Sequence, residues 1–219
     1  MHRARQHAGT RTRERRHRLA HEAARLMAES GIRDYRQAKR KAADRLGIHD
    51  DASLPHNREI EQALREYQRL FHGDAGRQAL DLRRRAALEA MEFLDRFAPR
   101  LVGPVLEGTA DAHSPVQLQL YADDPDAVSR FLEDAGIPAD NGSRRVRLDR
   151  TREDDFPVWL FAADGLAFDL LVLPGHVLRQ APLSAIDGKP MKRASAAQLR
   201  ELLATEETHD GGTVAGLPR

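Results

Sequence analysis

The 219-residue sequence contains no cysteine, and aromatic residues make up only 5% of it. The absence of cysteine excludes disulfide bonds, thiolate catalysis and cysteine-ligated zinc. No apolar run approaches the roughly 18 consecutive residues that a membrane span requires. The arginine-rich N-terminus also lacks the apolar core of a secretory signal. We therefore expect a cytoplasmic protein with no membrane partner, and the sequence leaves its oligomeric state open.

Several common catalytic motifs are also missing from the sequence. There is no Walker A loop, no dinucleotide-binding glycine fingerprint, no His-Glu-x-x-His and no Gly-x-Ser-x-Gly nucleophile elbow. The ten histidines are scattered along the chain, so no zinc-binding spacing emerges. These absences argue against P-loop enzymes, Rossmann-type dehydrogenases, zinc proteases and serine hydrolases.

The charges that are present divide unevenly along the chain. Residues 1–47 contain 14 Lys and Arg against 5 Asp and Glu, whereas the remaining 172 residues contain 21 against 29. Such a division predicts a basic module attached to an acidic body. The alternative is an ordinary arginine-rich helical composition without a functional meaning.

The N-terminal part of the chain has the apolar spacing of helices. Residues 1–11 lack apolar periodicity, and we expect them to form a disordered basic tail. Apolar residues at helical spacing then predict helices over 12–30, 33–46 and 57–71, which together form a helical module over residues 12–73.

The second of these helices carries a cluster of cations on the faces that its apolar residues leave free. Its candidate nucleic-acid contacts are Arg36, Lys39, Arg40 and Lys41. A row of cations of this kind neutralises phosphates along an RNA or DNA backbone. The alternative is a solvated helix face whose charges only maintain solubility.

The C-terminal part of the chain alternates between helical and strand patterns, which indicates an α+β domain over residues 77–204. We predict a mixed β-sheet flanked by helices, followed by a disordered tail over 205–219. The predicted helices are 77–97, 127–135 and 196–203, and the predicted strands are 101–106, 116–121, 144–148, 156–162 and 166–173. Turns are predicted at Asn141-Gly142 and at Asp164-Gly165.

The polar connection over 108–114, the strand after it and the late strand FDLLVL over 168–173 resemble, in their order, the nucleotidyltransferase superfamily with the DNA polymerase beta-like fold. The resemblance covers about residues 82–175. In that family a Gly-Ser after the first strand touches the nucleotide phosphates, the next strand carries Asp-x-Asp, and a later strand supplies a third carboxylate. The resemblance therefore places Gly108-Thr109 at the Gly-Ser and Asp169 at the third carboxylate.

The middle of that family motif is degenerate in this chain. Ser114-Pro115-Val116-Gln117 stands where the family has Ser-Asp-x-Asp. Two carboxylates at positions i and i+2 of a strand share one face and hold the same pair of cations, which a proline and a glutamine cannot do. Nucleotide or phosphorylated-ligand binding is therefore expected, and the catalytic activity stays open. The alternative function is a non-catalytic nucleic-acid- or protein-binding factor.

Asp169 is the most informative acidic residue, because it is the only charge in an apolar strand. A carboxylate in that position must face solvent, a cation or a hydrogen-bond donor. Asp169 therefore either has a role in a cleft, or it forms a salt bridge or lies at a strand edge. With Asp111 and His113 it would provide a Mg²⁺ or Mn²⁺ site. The remaining candidate ligand-binding residues are Gly108, Thr109, His113, Ser114, Arg179 and Lys189. The alternative for Asp111 is that it only caps its turn.

Overall fold

The computed structural model describes residues 2–32, 34–71, 73–111, 113–184 and 186–210. The chain divides into two compact units at Arg77 and Gln78. The first unit contains 18 Lys and Arg against 11 Asp and Glu, and the second contains 17 against 23. Within the described ranges, no helix combines the length and the apolar character needed to cross a membrane.

Within the described residues, three α-helices lie entirely in the first unit: α1 (His2–Ser30), α2 (Tyr35–Leu46) and α3 (Asn57–Phe71). Half of the residues in its buried core are alanines, which allows the helix backbones to approach closely. Asp34 accepts hydrogen bonds from the first amide groups of α2, and Gly47 ends that helix in the left-handed conformation. These two caps fix the ends of α2.

Residues 2–11 belong to α1 and do not form the irregular tail that the sequence predicted. Apolar periodicity is missing there, but alanine, arginine and glutamine are strong helix formers. They extend a helix that packing stabilises further along the chain. Residues 205–210 also continue a helix, the last one, whereas residues 211–219 of the predicted tail lie outside the described residues.

The second unit is an α+β domain with a five-stranded mixed sheet, as expected from the sequence. Its strands are β1 (Arg100–Val102), β2 (Val116–Tyr121), β3 (Asp140–Arg147), β4 (Glu153–Ala163) and β5 (Leu166–Leu173), in the order β1-β2-β5-β4-β3. Among these five strands, the β2–β5 pair is parallel and the other pairs are antiparallel. The helices are α4 (Gly73–Phe93), which begins in the first unit, α5 (Gly103–Glu107), α6 (Asp126–Asp134) and α7 (Ala196–Asp210).

The predicted strand over 101–106 is wrong beyond Val102. Gly103 has a φ of +71°, and Pro104 follows it at the first turn of α5. A left-handed glycine breaks the extended backbone, and proline is favoured at the start of a helix. The predicted helix over 77–97 is also displaced, because α4 begins at Gly73 and a short 3₁₀ turn over Asp95–Phe97 follows it.

The two predicted turns have different outcomes. Asp164-Gly165 joins β4 to β5, and both residues have positive φ values, as a tight hairpin requires. Asn141-Gly142, in contrast, lies inside β3 and pairs with β4. The dipeptide signal is local, and the long partner strand β4 overrides it by offering a continuous hydrogen-bonding edge.

The two faces of the sheet pack against different groups of residues. The first face presents Leu118 and Leu170 to the main core, to which α4, α5, α6 and α7 also contribute. The second face presents Gln117 and Asp169 at one end of the strands. At the other end it carries a smaller apolar cluster made of Tyr121, Val146, Phe156, Val158, Leu171, Leu173 and Val177.

Candidate functional site

One row of residues crosses the second face of the sheet from β1 to β3. Strand register places Gln117 beside Asp169, Asp169 beside Leu160, and Leu160 beside Asp140. Directly paired residues point to the same face of a sheet. The row therefore collects two carboxylates, an amide and a leucine that is 43% exposed.

Asp169 lies at the centre of this row and is only 5% exposed. Arg144 Nη2 donates to its Oδ2 atom over 2.8 Å, and Gln117 Nε2 donates to the same oxygen over 3.3 Å. The second oxygen, Oδ1, is buried and has no hydrogen-bond partner among the described residues. The carboxylate is thus neutralised by a cation on one side and unsatisfied on the other.

Arg144 reaches Asp169 diagonally from the edge strand β3. Its side chain is 42% exposed although the carboxylate that it binds is buried. Nη2 is the only guanidinium nitrogen of Arg144 that donates a hydrogen bond to the described part of the chain. Gly142 precedes it on the same face, and the space where a Cβ atom would stand there is open. The guanidinium is therefore anchored at one corner and accessible along the rest of its edge.

Gly103 brings the backbone after β1 against the same row. Val102 pairs with Gln117, and a Cβ atom at position 103 would lie 2.1 Å from Gln117 Oε1. The positive φ favours glycine, and a side chain at this position would displace the Gln117 amide. Gly103, and not Gly108, is consequently the glycine that directly follows the first strand.

The residues predicted around the connection over 108–114 form a turn of their own. Gly108 caps the end of α5, and Thr109 donates its amide to Pro104. Asp111 Oδ1 accepts from the His113 amide over 2.9 Å and from Ser114 Oγ over 2.8 Å. The Asp111 carboxylate therefore caps this turn.

Two buried arginines of α4 hold this connection in place. Arg83 Nε donates to the carbonyl of Ser114 over 3.1 Å, and Arg84 Nε donates to that of Val105 over 3.1 Å. Arg84 also pairs with Glu206 of α7. Both guanidinium groups bind backbone carbonyls, and that of Arg84 also binds a carboxylate. The two arginines therefore position α5 and the turn.

The predicted metal ligands do not gather into a cluster. Among the described residues, no group of three or more His, Asp or Glu side chains is arranged to hold a metal ion. The groups nearest to the Asp169 carboxylate are the Gln117 amide and the Arg144 guanidinium, and the guanidinium is itself positively charged. This donor set does not fit a divalent cation, which prefers several oxygen ligands.

Comparison with known proteins identified no relative of this chain. No family model, characterised protein or solved structure matches the chain.

The loop that follows β5 covers the apolar end of the second face with Arg193. Arg193 Nη1 donates to the Tyr121 hydroxyl over 2.7 Å, and that hydroxyl donates to Gln119 Oε1 over 2.9 Å. Burial raises the pKa of Tyr121 above its ordinary value, although the neighbouring Arg193 acts in the opposite direction. The predicted Arg179 and Lys189 are exposed on the same loop.

The candidate nucleic-acid residues lie on α2, as predicted, but they differ in exposure. Arg36, Arg40 and Lys41 are exposed and have no ion pair within the described ranges. Lys39 is half-buried, and burial lowers the pKa of its ammonium group while the charge of Glu59 raises it. These three cations of α2 therefore face solvent and have no acidic partner in the part of the chain that the structure describes.

Sequence reasoning missed Arg144 and Gly103. Arg144 lies 25 residues before Asp169, so only the register of three strands reveals that they meet. A usable signal existed, because a single carboxylate inside an apolar strand requires a cation or a donor from a neighbouring strand. Gly103-Pro104 was the signal for the end of β1.

Proposed function

We propose that the chain is a divergent nucleotidyltransferase-like protein that binds a nucleotide or another phosphorylated ligand on the second face of the sheet. The site consists of Gly103, Gln117, Arg144 and Asp169. Only one of these residues is a carboxylate, whereas two-metal transfer relies on several. The proposed activity is therefore binding, and nucleotidyl transfer is not part of it.

The observation that carries this proposal is the state of Asp169. The large majority of buried side-chain polar atoms have a hydrogen-bond partner, because an unsatisfied buried oxygen costs stability. Asp169 Oδ1 has none among the described residues, and the Arg144 that binds Oδ2 is itself half-exposed. A buried polar atom that is left without a hydrogen bond is typical of functional sites.

The topology supports the family resemblance in a second way. In the family, the glycine after the first strand, the motif of the second strand and the late carboxylate surround one ligand. Here Gly103 lies against Gln117, and Gln117 pairs in register with Asp169 on the parallel neighbour β5. The three corresponding positions are adjacent, with Gln117 in place of a carboxylate.

Thermal unfolding in the presence of the four ribonucleoside triphosphates tests this proposal. A ligand present at roughly 100 times its dissociation constant adds about 2.7 kcal/mol of stability, which raises the unfolding midpoint measurably. We expect at least one nucleotide to raise the midpoint of the native protein and to have a smaller effect on Arg144→Gln. The control is Arg145→Gln, because Arg145 is adjacent on β3 but points to the other face. No rise with any nucleotide, with or without Mg²⁺ or Mn²⁺, would contradict the proposal.

A second candidate function is nucleic-acid binding through α2. Its supporting observation is that Arg36, Arg40 and Lys41 are exposed and lack ion pairs within the described ranges. They also belong to the unit with the positive charge balance. Such cations bind phosphates without sequence preference, and the binding weakens as salt is raised.

Charge reversal on α2 tests this second candidate. We expect Arg36→Glu, Arg40→Glu and Lys41→Glu together to abolish retention of RNA and to leave the stability within about 0.5 kcal/mol, because all three residues are exposed. The matched control reverses three exposed cations of the second unit, Arg150, Arg179 and Lys192. Equal retention by the two triple variants and the native protein would exclude α2 as the binding surface.

A further inference from the structure

The pairing of a buried carboxylate with a half-exposed arginine defines how the ligand is held. We propose that Arg144 binds the anionic group of the ligand directly and supplies the positive charge that a divalent cation provides in nucleotidyltransferases. Ligand binding is then independent of metal ions. This inference rests on the proposed function and specifies the chemistry of the same site.

The contacts of Arg144 suit it to this role. A guanidinium carries five N–H donors in a planar fork that matches the oxygens of a phosphate. Asp169 uses Nη2 alone, so Nε and Nη1 have no partner in the described part of the chain. The anchored side chain has lost much of its rotational freedom before the ligand arrives, which lowers the entropic cost of binding.

Asp169 is a positioning residue in this arrangement. Its Oδ2 already accepts hydrogen bonds from Arg144 and Gln117, and Oδ1 is buried. A divalent cation would need an accessible oxygen here and would be repelled by the guanidinium 2.8 Å from Oδ2. The family's metal-binding carboxylate therefore orients a fixed cation in this chain.

The surroundings of Arg144 indicate the class of ligand. Leu160 lies beside Asp169 on the same face and is 43% exposed, so it offers an apolar surface next to the cation. Gly142 leaves open space on that face at the position preceding Arg144. An anion joined to an apolar or ring-shaped group fits this combination, as in a nucleotide or another organic phosphate.

Isothermal titration with ATP, in EDTA and then in Mg²⁺, tests the inference, and inorganic tripolyphosphate serves as a probe of the anion alone. We expect the native protein to bind ATP with the same affinity in EDTA and in Mg²⁺. Arg144→Gln should lose at least about tenfold in affinity, because a charge-assisted hydrogen bond is removed. Arg145→Gln should bind ATP normally. Gly142→Leu should fold, because the backbone conformation at this position accepts a side chain, and the leucine should block the site.

A double-mutant cycle separates positioning from direct contact. If Asp169 acts through Arg144, Asp169→Asn weakens ATP binding in the native protein and has no further effect in the Arg144→Gln variant. Denaturant unfolding of each variant verifies that it is folded. ATP binding that requires Mg²⁺, with additive effects of the two substitutions, would overturn the inference and leave the proposed function standing.

Titration with tripolyphosphate distinguishes failure of the proposed function from failure of the anion site at Arg144. Tripolyphosphate binding in EDTA that Arg144→Gln abolishes, without binding of any nucleotide, would support the anion site and refute the nucleotide class of ligand. No binding of either probe under any condition would refute both proposals.

Discussion

The two faces of the sheet differ although they are formed by alternate residues of the same strands. On the first face, Val116, Leu118 and Leu120 of β2 and Phe168, Leu170 and Val172 of β5 are all at most 5% exposed. On the second face, the same strands present Gln117 and Asp169 at one end, where Arg144 reaches out to solvent. The first face thus maintains the fold, and the second face is free to carry polar groups.

The largest effect is expected from a cavity on the first face. Leu170→Ala empties a site that is 0% exposed, and we expect the free energy of unfolding to fall by about 3 kcal/mol, within a range of ~2–5 kcal/mol. Urea denaturation measures this change. Affinity for the nucleotide should stay the same at temperatures where the variant is folded. A loss below about 1 kcal/mol would mean that the two faces do not differ in their structural role.

A smaller effect is expected where the second face meets the backbone. Gly103→Ala places a side chain in a left-handed conformation at a cost of about 1–2 kcal/mol. It also pushes Gln117 away from Asp169, since the new Cβ atom would lie 2.1 Å from Gln117 Oε1. Unfolding measurements on Gly103→Ala with and without Gln117→Ala separate the two contributions. Equal costs in both backgrounds would show that the contact with Gln117 is unimportant.

The smallest effect on stability is expected from the apolar end of the second face. Tyr121→Phe removes hydrogen bonds to Gln119 and Arg193, and we expect a loss of about 1 kcal/mol at neutral pH. Denaturant unfolding measures this loss. Phe156→Tyr is the opposite substitution, because it adds a hydroxyl group to the same apolar cluster. An unchanged stability would mean that these hydrogen bonds contribute nothing.

The same tyrosine makes stability depend on pH at the alkaline end. Burial raises the pKa of Tyr121 in the folded protein above its ordinary value of 10.0, so the unfolded chain loses this proton first. The contribution of the neutral hydroxyl is complete below pH 10 and is lost as the pH rises through the folded pKa. The fall in stability above pH 10 should therefore be steeper in the native protein than in Tyr121→Phe. Parallel curves would contradict this assignment.

The sequence was most informative where the local signal and the tertiary context agree. The bounds of β5, Leu166–Leu173, are those predicted, because an apolar run lies between the Asp164-Gly165 turn and Pro174. The predicted start of the last helix at Ala196 is also correct, because Ser195 caps α7 by accepting the Gln198 amide. In such segments a turn residue or a cap marks the end of the element, whatever packs against it.

The sequence was least informative where pairing across the sheet decides the structure. The Asn141-Gly142 signal gave way to pairing with β4, and Arg144 became part of the site only through that pairing. Asp169 was identified from its own strand, since a charge among apolar residues needs no register to be noticed. Its partner required the order of three strands, which composition and periodicity do not contain.

The central claim is that Arg144 on the second face binds the ligand's anion, and nuclear magnetic resonance of the arginine Nε–H groups tests it most directly. ATP is titrated in EDTA into the native protein, and the signals are assigned with Arg144→Gln and Arg145→Gln. The account predicts that the Arg144 Nε–H signal shifts and saturates with ATP, while that of Arg145 stays in place. Shifts confined to Arg36 and Arg40 of α2, or an Arg144 signal that does not respond, would contradict it.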